Sequence, residues 1–122
     1  GAMTGAGSTT FSGDLTLSAY DGARYGAVAI SQRSVNLAGT TNWNGGALYT
    51  SSGGSLTNSG TFVDNGNYSY GSYFASQGST ASDFVNTGTY NKVGGGTTTF
   101  AVGFKNTGTL NVTAGVLSLG VG

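Results

Sequence analysis

Phe104-Lys105-Asn106-Thr107-Gly108-Thr109-Leu110-Asn111 decides how this chain is read, because it occurs more than once. Twenty residues upstream stands Phe84-Val85-Asn86-Thr87-Gly88-Thr89-Tyr90-Asn91, and 28 residues before that Leu56-Thr57-Asn58-Ser59-Gly60-Thr61-Phe62-Val63. A weaker copy, Val35-Asn36-Leu37-Ala38-Gly39-Thr40-Thr41-Asn42, lies 21 residues further back. The shared pattern is apolar, any residue, Asn, Ser or Thr, Gly, Thr, apolar. Self-similarity at such a period marks stacked structural repeats, each too small to bury its apolar face alone.

Composition agrees. Gly, Ser, Thr and Asn make up more than half of the 122 residues, only 7% are charged, and 37% are apolar. So few charges in so Gly-rich a chain could mean a disordered linker. The recurrence of Phe, Tyr and Leu at the repeat spacing argues instead for an ordered, turn-rich β protein. Helix formers are scarce, whereas Thr, Val, Tyr and Phe suit short strands. Gly and Asn are expected to supply positive-φ turn positions between them. No Pro occurs, as expected where every strand donates to a ladder on both sides.

The expected fold is all-β: a right-handed parallel β-solenoid of about five coils, excised from a longer repeat protein. With ~4.8 Å between rungs, the stack is on the order of 25 Å long. The competing fold is a Gly-rich antiparallel sandwich. Gly1-Ala2-Met3 reads as an expression-tag scar. Residues 4–33 read as an atypical N-terminal coil or cap, with Asp14-Leu15-Thr16-Leu17 as a strand and half of all the charges. Residues 34–122 are the repeats proper, divided 34–55, 56–83, 84–103 and 104–122. In the stack, Phe62, Tyr90 and Leu110 form one internal file. Asn58, Asn86 and Asn106 form another, their amides bonding from coil to coil, with Gly60, Gly88 and Gly108 at the turns.

The Asn-Thr-Gly-Thr turns and the ending Leu110-Asn111-Val112-Thr113-Ala114-Gly115-Val116-Leu117-Ser118-Leu119 resemble the β-solenoid repeats of bacterial surface proteins. They are most similar to those of autotransporter passengers and filamentous-haemagglutinin-like adhesins. The resemblance covers residues 34–122 and implies a secreted or cell-surface location with a structural, adhesive role.

Chemistry is thin. There is no His, no Cys and no Glu. Asp64 and Asp83 lie about one coil apart, the arrangement of paired acids in β-helix glycosidases. Asp64-Asn65-Gly66 is also an ordinary tight turn, which is the preferred reading. The Gly runs lack the Asp that calcium-binding nonapeptides need and the Lys of a phosphate loop, so no metal or cofactor is expected. Lys92 and Lys105 could in principle form isopeptide cross-links, without further support. No enzymatic activity is expected.

Binding is the better prospect. Trp43, Tyr49, Tyr68, Tyr70 and Tyr73 cluster within about one coil, beside the longer 56–83 repeat whose extra residues project as loops. Aromatic planes beside Asn and Ser suit sugar rings, while the bland alternative is wall filling with the polar end in water. Surface glycans or other proteins are therefore the expected partners, along with neighbouring repeats. Files of Thr from Thr87-Gly88-Thr89 and Thr107-Gly108-Thr109 also suggest, more weakly, an ice-binding face. Zero net charge argues against nucleic acid, and no apolar run could span a membrane. The alternating Leu117, Leu119 and Val121 at the open end predict weak end-to-end self-association.

Overall fold

The computed structural model describes residues 2–18, 27–66, 72–77 and 83–121, and every described element is a strand. In chain order these are β1 (Ala2–Met3), β2 (Gly7–Phe11), β3 (Leu15–Leu17), β4 (Ala27–Ser31), β5 (Arg33–Leu37), β6 (Thr40–Trp43), β7 (Gly46–Ser51) and β8 (Ser55–Asn58). Then follow β9 (Thr61–Asp64), β10 (Ser72–Gln77), β11 (Asp83–Asn86), β12 (Thr89–Lys92), β13 (Thr97–Asn106), β14 (Thr109–Val112) and β15 (Val116–Val121).

Up to β12 each strand pairs with the third before it, and because β13 spans two walls the interval is two thereafter, so three walls rise together. The first wall is β1, β4, β7, β10, the N-terminal half of β13, and β15. The second is β2, β5, β8, β11 and the C-terminal half of β13. The third is the separate sheet β3, β6, β9, β12, β14. All these pairings are parallel, including those joining 84–103 to 104–122, which excludes the antiparallel sandwich. The fold is thus a parallel β-helix, or solenoid-like, architecture.

The repeated motif is the corner between the second and third walls. Its apolar residue and Asn end a strand of the second wall, and its second Thr opens a strand of the third. The corner keeps its own ladder. The amides of Thr87 and Gly88 both donate to the Asn58 carbonyl, at 2.9 and 3.1 Å, and Thr107 and Gly108 repeat this on Asn86 at 3.0 and 3.2 Å. These corner amides are thereby paired with backbone.

The motif glycines are present for a different reason from the one expected. Positive φ occurs at Gly5, Gly7, Gly45, Gly46, Gly53 and Gly115, not at Gly39, Gly60, Gly88 or Gly108. At these four, a Cβ would collide with the carbonyl oxygen of the corner beneath: Gly13, Gly39, Gly60 and Gly88 respectively. The rung spacing, not the dihedral angle, demands glycine. The chain Gly13–Gly39–Gly60–Gly88–Gly108 also exposes a further repeat. Thr9-Thr10-Phe11-Ser12-Gly13-Asp14-Leu15-Thr16 occupies the motif position in register beneath Val35–Asn42.

Residues from all three walls meet in one core, with Phe62, Phe74, Phe84, Tyr90 and Phe100 fully buried. Their geometry follows from the ladder. Partners on one wall are a rung apart and lie nearly parallel: Phe62 on Tyr90 at 5.1 Å and 9°, Phe74 on Phe100 at 5.4 Å and 15°. Rings from different walls meet edge-on, as Phe62 with Phe84 at 76° and Phe74 with Phe84 at 71°. Both arrangements are favourable for ring quadrupoles.

Candidate functional site

Alternation along the strands decides which side chains face inward. In the third wall the inward columns are Leu15–Thr41–Phe62–Tyr90–Leu110 and Leu17–Trp43–Asp64–Lys92–Val112. Trp43 therefore points into the core, fully buried, with edge-on contacts to Phe62 at 5.9 Å and Phe100 at 6.4 Å. It cannot belong to an aromatic surface as the sequence suggested, because position 43 shares the phase of Asp64 and Lys92. Tyr68 and Tyr70 lie outside the described residues.

Tyr49 and Tyr73 remain. They sit on adjacent strands of the first wall, in register two residues apart, since Tyr73 pairs with Ala47 and Ala75 with Tyr49. The intervening Leu48 and Phe74 are buried, so both tyrosines take the outward phase. The result is a checkerboard: tyrosines on one diagonal, alanines on the other. Diagonal neighbours on one face are within reach of long aromatic side chains. Tyr73 is 37% exposed, whereas Ala47 and Ala75 are nearly covered.

The asparagine column is internal, as expected. Asn58 Nδ2 donates to Asn86 Oδ1 at 2.7 Å, and Asn86 Nδ2 donates to Asn106 Oδ1 at 2.8 Å. Each amide also serves its own corner: Asn58 donates to the carbonyls of Gly60 and Thr89, and Asn86 to those of Gly88 and Thr109. Asn58 and Asn86 are fully buried, and Asn106 at the top is exposed. These residues hold the wall corner together rather than bind a ligand.

The carboxylates separate. Asp83 faces out on the second wall and pairs with Lys105 at 2.8 Å, an exposed bridge of little energetic weight. Asp64 faces in. It is not the surface turn residue the sequence suggested but is fully buried beside its ladder partner Lys92, also fully buried. Gly66 N–H donates to Asp64 Oδ1 at 3.1 Å, while Tyr90 Oη and Thr98 Oγ1 donate to Oδ2 at 2.7 and 2.6 Å. Lys92 Nζ donates to the Gly94 carbonyl at 3.0 Å. Burial, then the Asp64 charge and its hydrogen bond, raise the Tyr90 hydroxyl well above the ordinary tyrosine range. Asp64 and Lys92 are ladder partners, but each finds its own hydrogen-bond partners in the core, as buried polar groups must. The sequence carried a usable signal here: Asp64 and Lys92 each stand four residues after a motif glycine.

The outer face of the third wall carries two files. Thr40, Thr61, Thr89 and Thr109 are mutually in register, and so are Thr16, Asn42, Val63, Asn91 and Asn111. Only the first hydroxyl residue of each motif, Ser59, Thr87 or Thr107, lies in the turn, so the strand threonines escape the corner's curvature. Asn111 Nδ2 donates to Asn91 Oδ1 at 2.8 Å along the file. Neither file contains a charged residue.

Among the described residues no group of three or more His, Cys, Asp or Glu could hold a metal ion, and no helix is long and apolar enough to cross a membrane. No protein-family model matches the chain, and comparison with curated proteins and with solved structures returns no match.

Proposed function

We propose that this chain is a structural and adhesive repeat segment of a secreted or cell-surface bacterial protein, a right-handed parallel β-solenoid of about five coils. It resembles the repeats of autotransporter passengers and filamentous-haemagglutinin-like adhesins, and it acts as a stalk with a glycan-binding side wall and no reaction of its own. The carrying observation is the Tyr49–Tyr73 checkerboard on the first wall. Two phenol rings beside a floor of alanines offer apolar faces to sugar C–H groups and hydroxyls to sugar hydroxyls. The separation of Asp64 from Asp83 supports the non-catalytic part, because paired acids must face one bond from two sides.

The test is retention on immobilised polysaccharides together with an assay for released sugars. Retention without product is expected, weakened about tenfold by Tyr73→Ala, equivalent to ~1.4 kcal/mol, and further by the Tyr49→Ala/Tyr73→Ala pair. Retention unchanged in the double variant would reject the tyrosine wall. Product formation lost in Asp83→Asn would make the chain a carbohydrate-active enzyme instead.

A second reading has its own observation, the uncharged, registered Thr and Asn files of the third wall. Such an array suits ice. Thermal hysteresis abolished by Thr89→Lys but untouched by Tyr73→Lys would favour it over the adhesive reading.

A further inference from the structure

Gly13 is a glycine with no local reason to be one. At the four corners above it, a Cβ would strike the carbonyl of the corner beneath, whereas at Gly13 a Cβ would meet nothing within 4 Å. Its φ is outside the positive range that favours glycine. The vacant space faces away from the stack, where a carbonyl of one more corner would sit. The far end offers such a carbonyl. The Gly108 corner has the same backbone arrangement as the corners that fill this space elsewhere, and no described residue packs on it from above.

The inward columns match as well. The third-wall column that ends on Leu110 begins on Leu15, and the column that ends on Val112 begins on Leu17. The polar members, Thr41, Asp64 and Lys92, are confined to the inner rungs. Val112, Val116 and Leu119 of the last strands are 47%, 56% and 43% exposed, and β14 and β15 are each laddered on one side only. Strands run in the same direction at both ends, so one copy's tail and another's head are the two halves of a parallel ladder.

We propose that two copies of this chain stack head to tail, with β14 of one laddered against β3 of the next and the Gly108 carbonyl seated in the space beneath Gly13. Leu110 then covers Leu15, and Val112 covers Leu17. The corner amides of Ser12 and Gly13 reach the Asn106 carbonyl as Thr107 and Gly108 reach Asn86. Two columns meet unlike at the joint, each with a counterpart inside the stack: the Asn106 amide meets Phe11 as the Asn58 amide meets Leu37, and Phe104 meets Thr9 as Val35 does. As a contact between separate chains, the joint depends on concentration. A head-to-tail contact does not close on itself, so assembly continues beyond a dimer. Low charge opposes it little.

Light scattering against concentration tests this with variants that leave the fold intact. Gly13→Ala adds a methyl group into open space in the single chain but into a carbonyl in the stack. Wild type should gain mass steadily with concentration, without a plateau at the dimer. Gly13→Ala should weaken association about tenfold or more, with an unchanged circular dichroism spectrum. Tyr73→Lys, on the side wall, should not affect it. The chain has no cysteine, so Thr16→Cys and Asn111→Cys, outward positions that would become ladder partners across the joint, give a second readout. Mixed and oxidised, they should form the mixed disulfide in preference to either homodimer, because ladder partners fall within disulfide reach. A strict monomer at millimolar concentration overturns the proposal. So does association that survives Gly13→Ala, which would indicate tail-to-tail pairing, or association abolished by Tyr73→Lys, which would move the contact to the side wall.

Discussion

Replacing Asn86 with Ala removes the middle amide of the internal column. Asn86 accepts from Asn58 at 2.7 Å and donates to Asn106 Oδ1 at 2.8 Å and to the Thr109 carbonyl at 3.0 Å. A net contribution of about 1 kcal/mol per hydrogen bond sets an upper sum near 3 kcal/mol. Part of that returns. Asn106 and Thr109 are exposed, so water replaces their lost partner, and the buried Asn58 amide keeps the carbonyls of Gly60 and Thr89. The expected loss is about 2 kcal/mol. Asn58→Ala should cost as much or more, because it strands Asn86 Oδ1 in a fully buried position with no water to replace the donor. Asn106→Ala, at the exposed top, and Asn91→Ala, on the outer face, should each cost under about 0.5 kcal/mol. Urea midpoints at constant m-value give the ranking directly. Equal, small losses at all four positions would mean that the column carries no stability and that the corner is held by backbone bonds alone.

Gly88→Ala should destabilise by more than about 3 kcal/mol, since the added methyl meets backbone that is itself laddered, while Gly13→Ala at low concentration should be neutral or slightly stabilising; similar urea midpoints for the two would refute the stacking explanation of the motif glycines. Tyr90 stays protonated in the fold while the unfolded chain ionises it near pH 10, so stability should fall as pH rises from about 10 upward and be independent of this group below that. Tyrosinate absorbance should show one tyrosine ionising only as circular dichroism is lost, and a fully titrated yet folded protein would contradict this. Lys92→Met should cost about 1–3 kcal/mol, because it removes the buried Nζ–Gly94 hydrogen bond and the amine one rung from the buried Asp64. Adding Asp64→Asn should then cost less than that substitution does alone, and strict additivity in the double-mutant cycle would show that the two charges do not sense each other.

Much of this was legible in the residues. The period of Asn-Thr-Gly-Thr set the corners, and the alternation around it placed Phe62, Tyr90, Asn58 and Asn86 inside. The earliest repeat escaped notice because Phe11 and Asp14 stand where the later copies carry Asn and Thr, and only the register with β5 and β6 reveals it. Trp43 was misplaced because an aromatic near other aromatics suggests a surface when the phase of its strand is not followed.

Sequence alone determined the repeat, the parallel stack and the amide column, because those depend on period and on residue type at a fixed offset. Tertiary structure alone decided the rest. Whether a glycine serves a dihedral angle or a close approach depends on the rung beneath it, which is 20–28 residues away in the chain. Whether Asp64 faces water or Lys92 depends on three walls closing around one interior. Both are settled by distances between residues remote in sequence, and a local pattern holds no record of those distances.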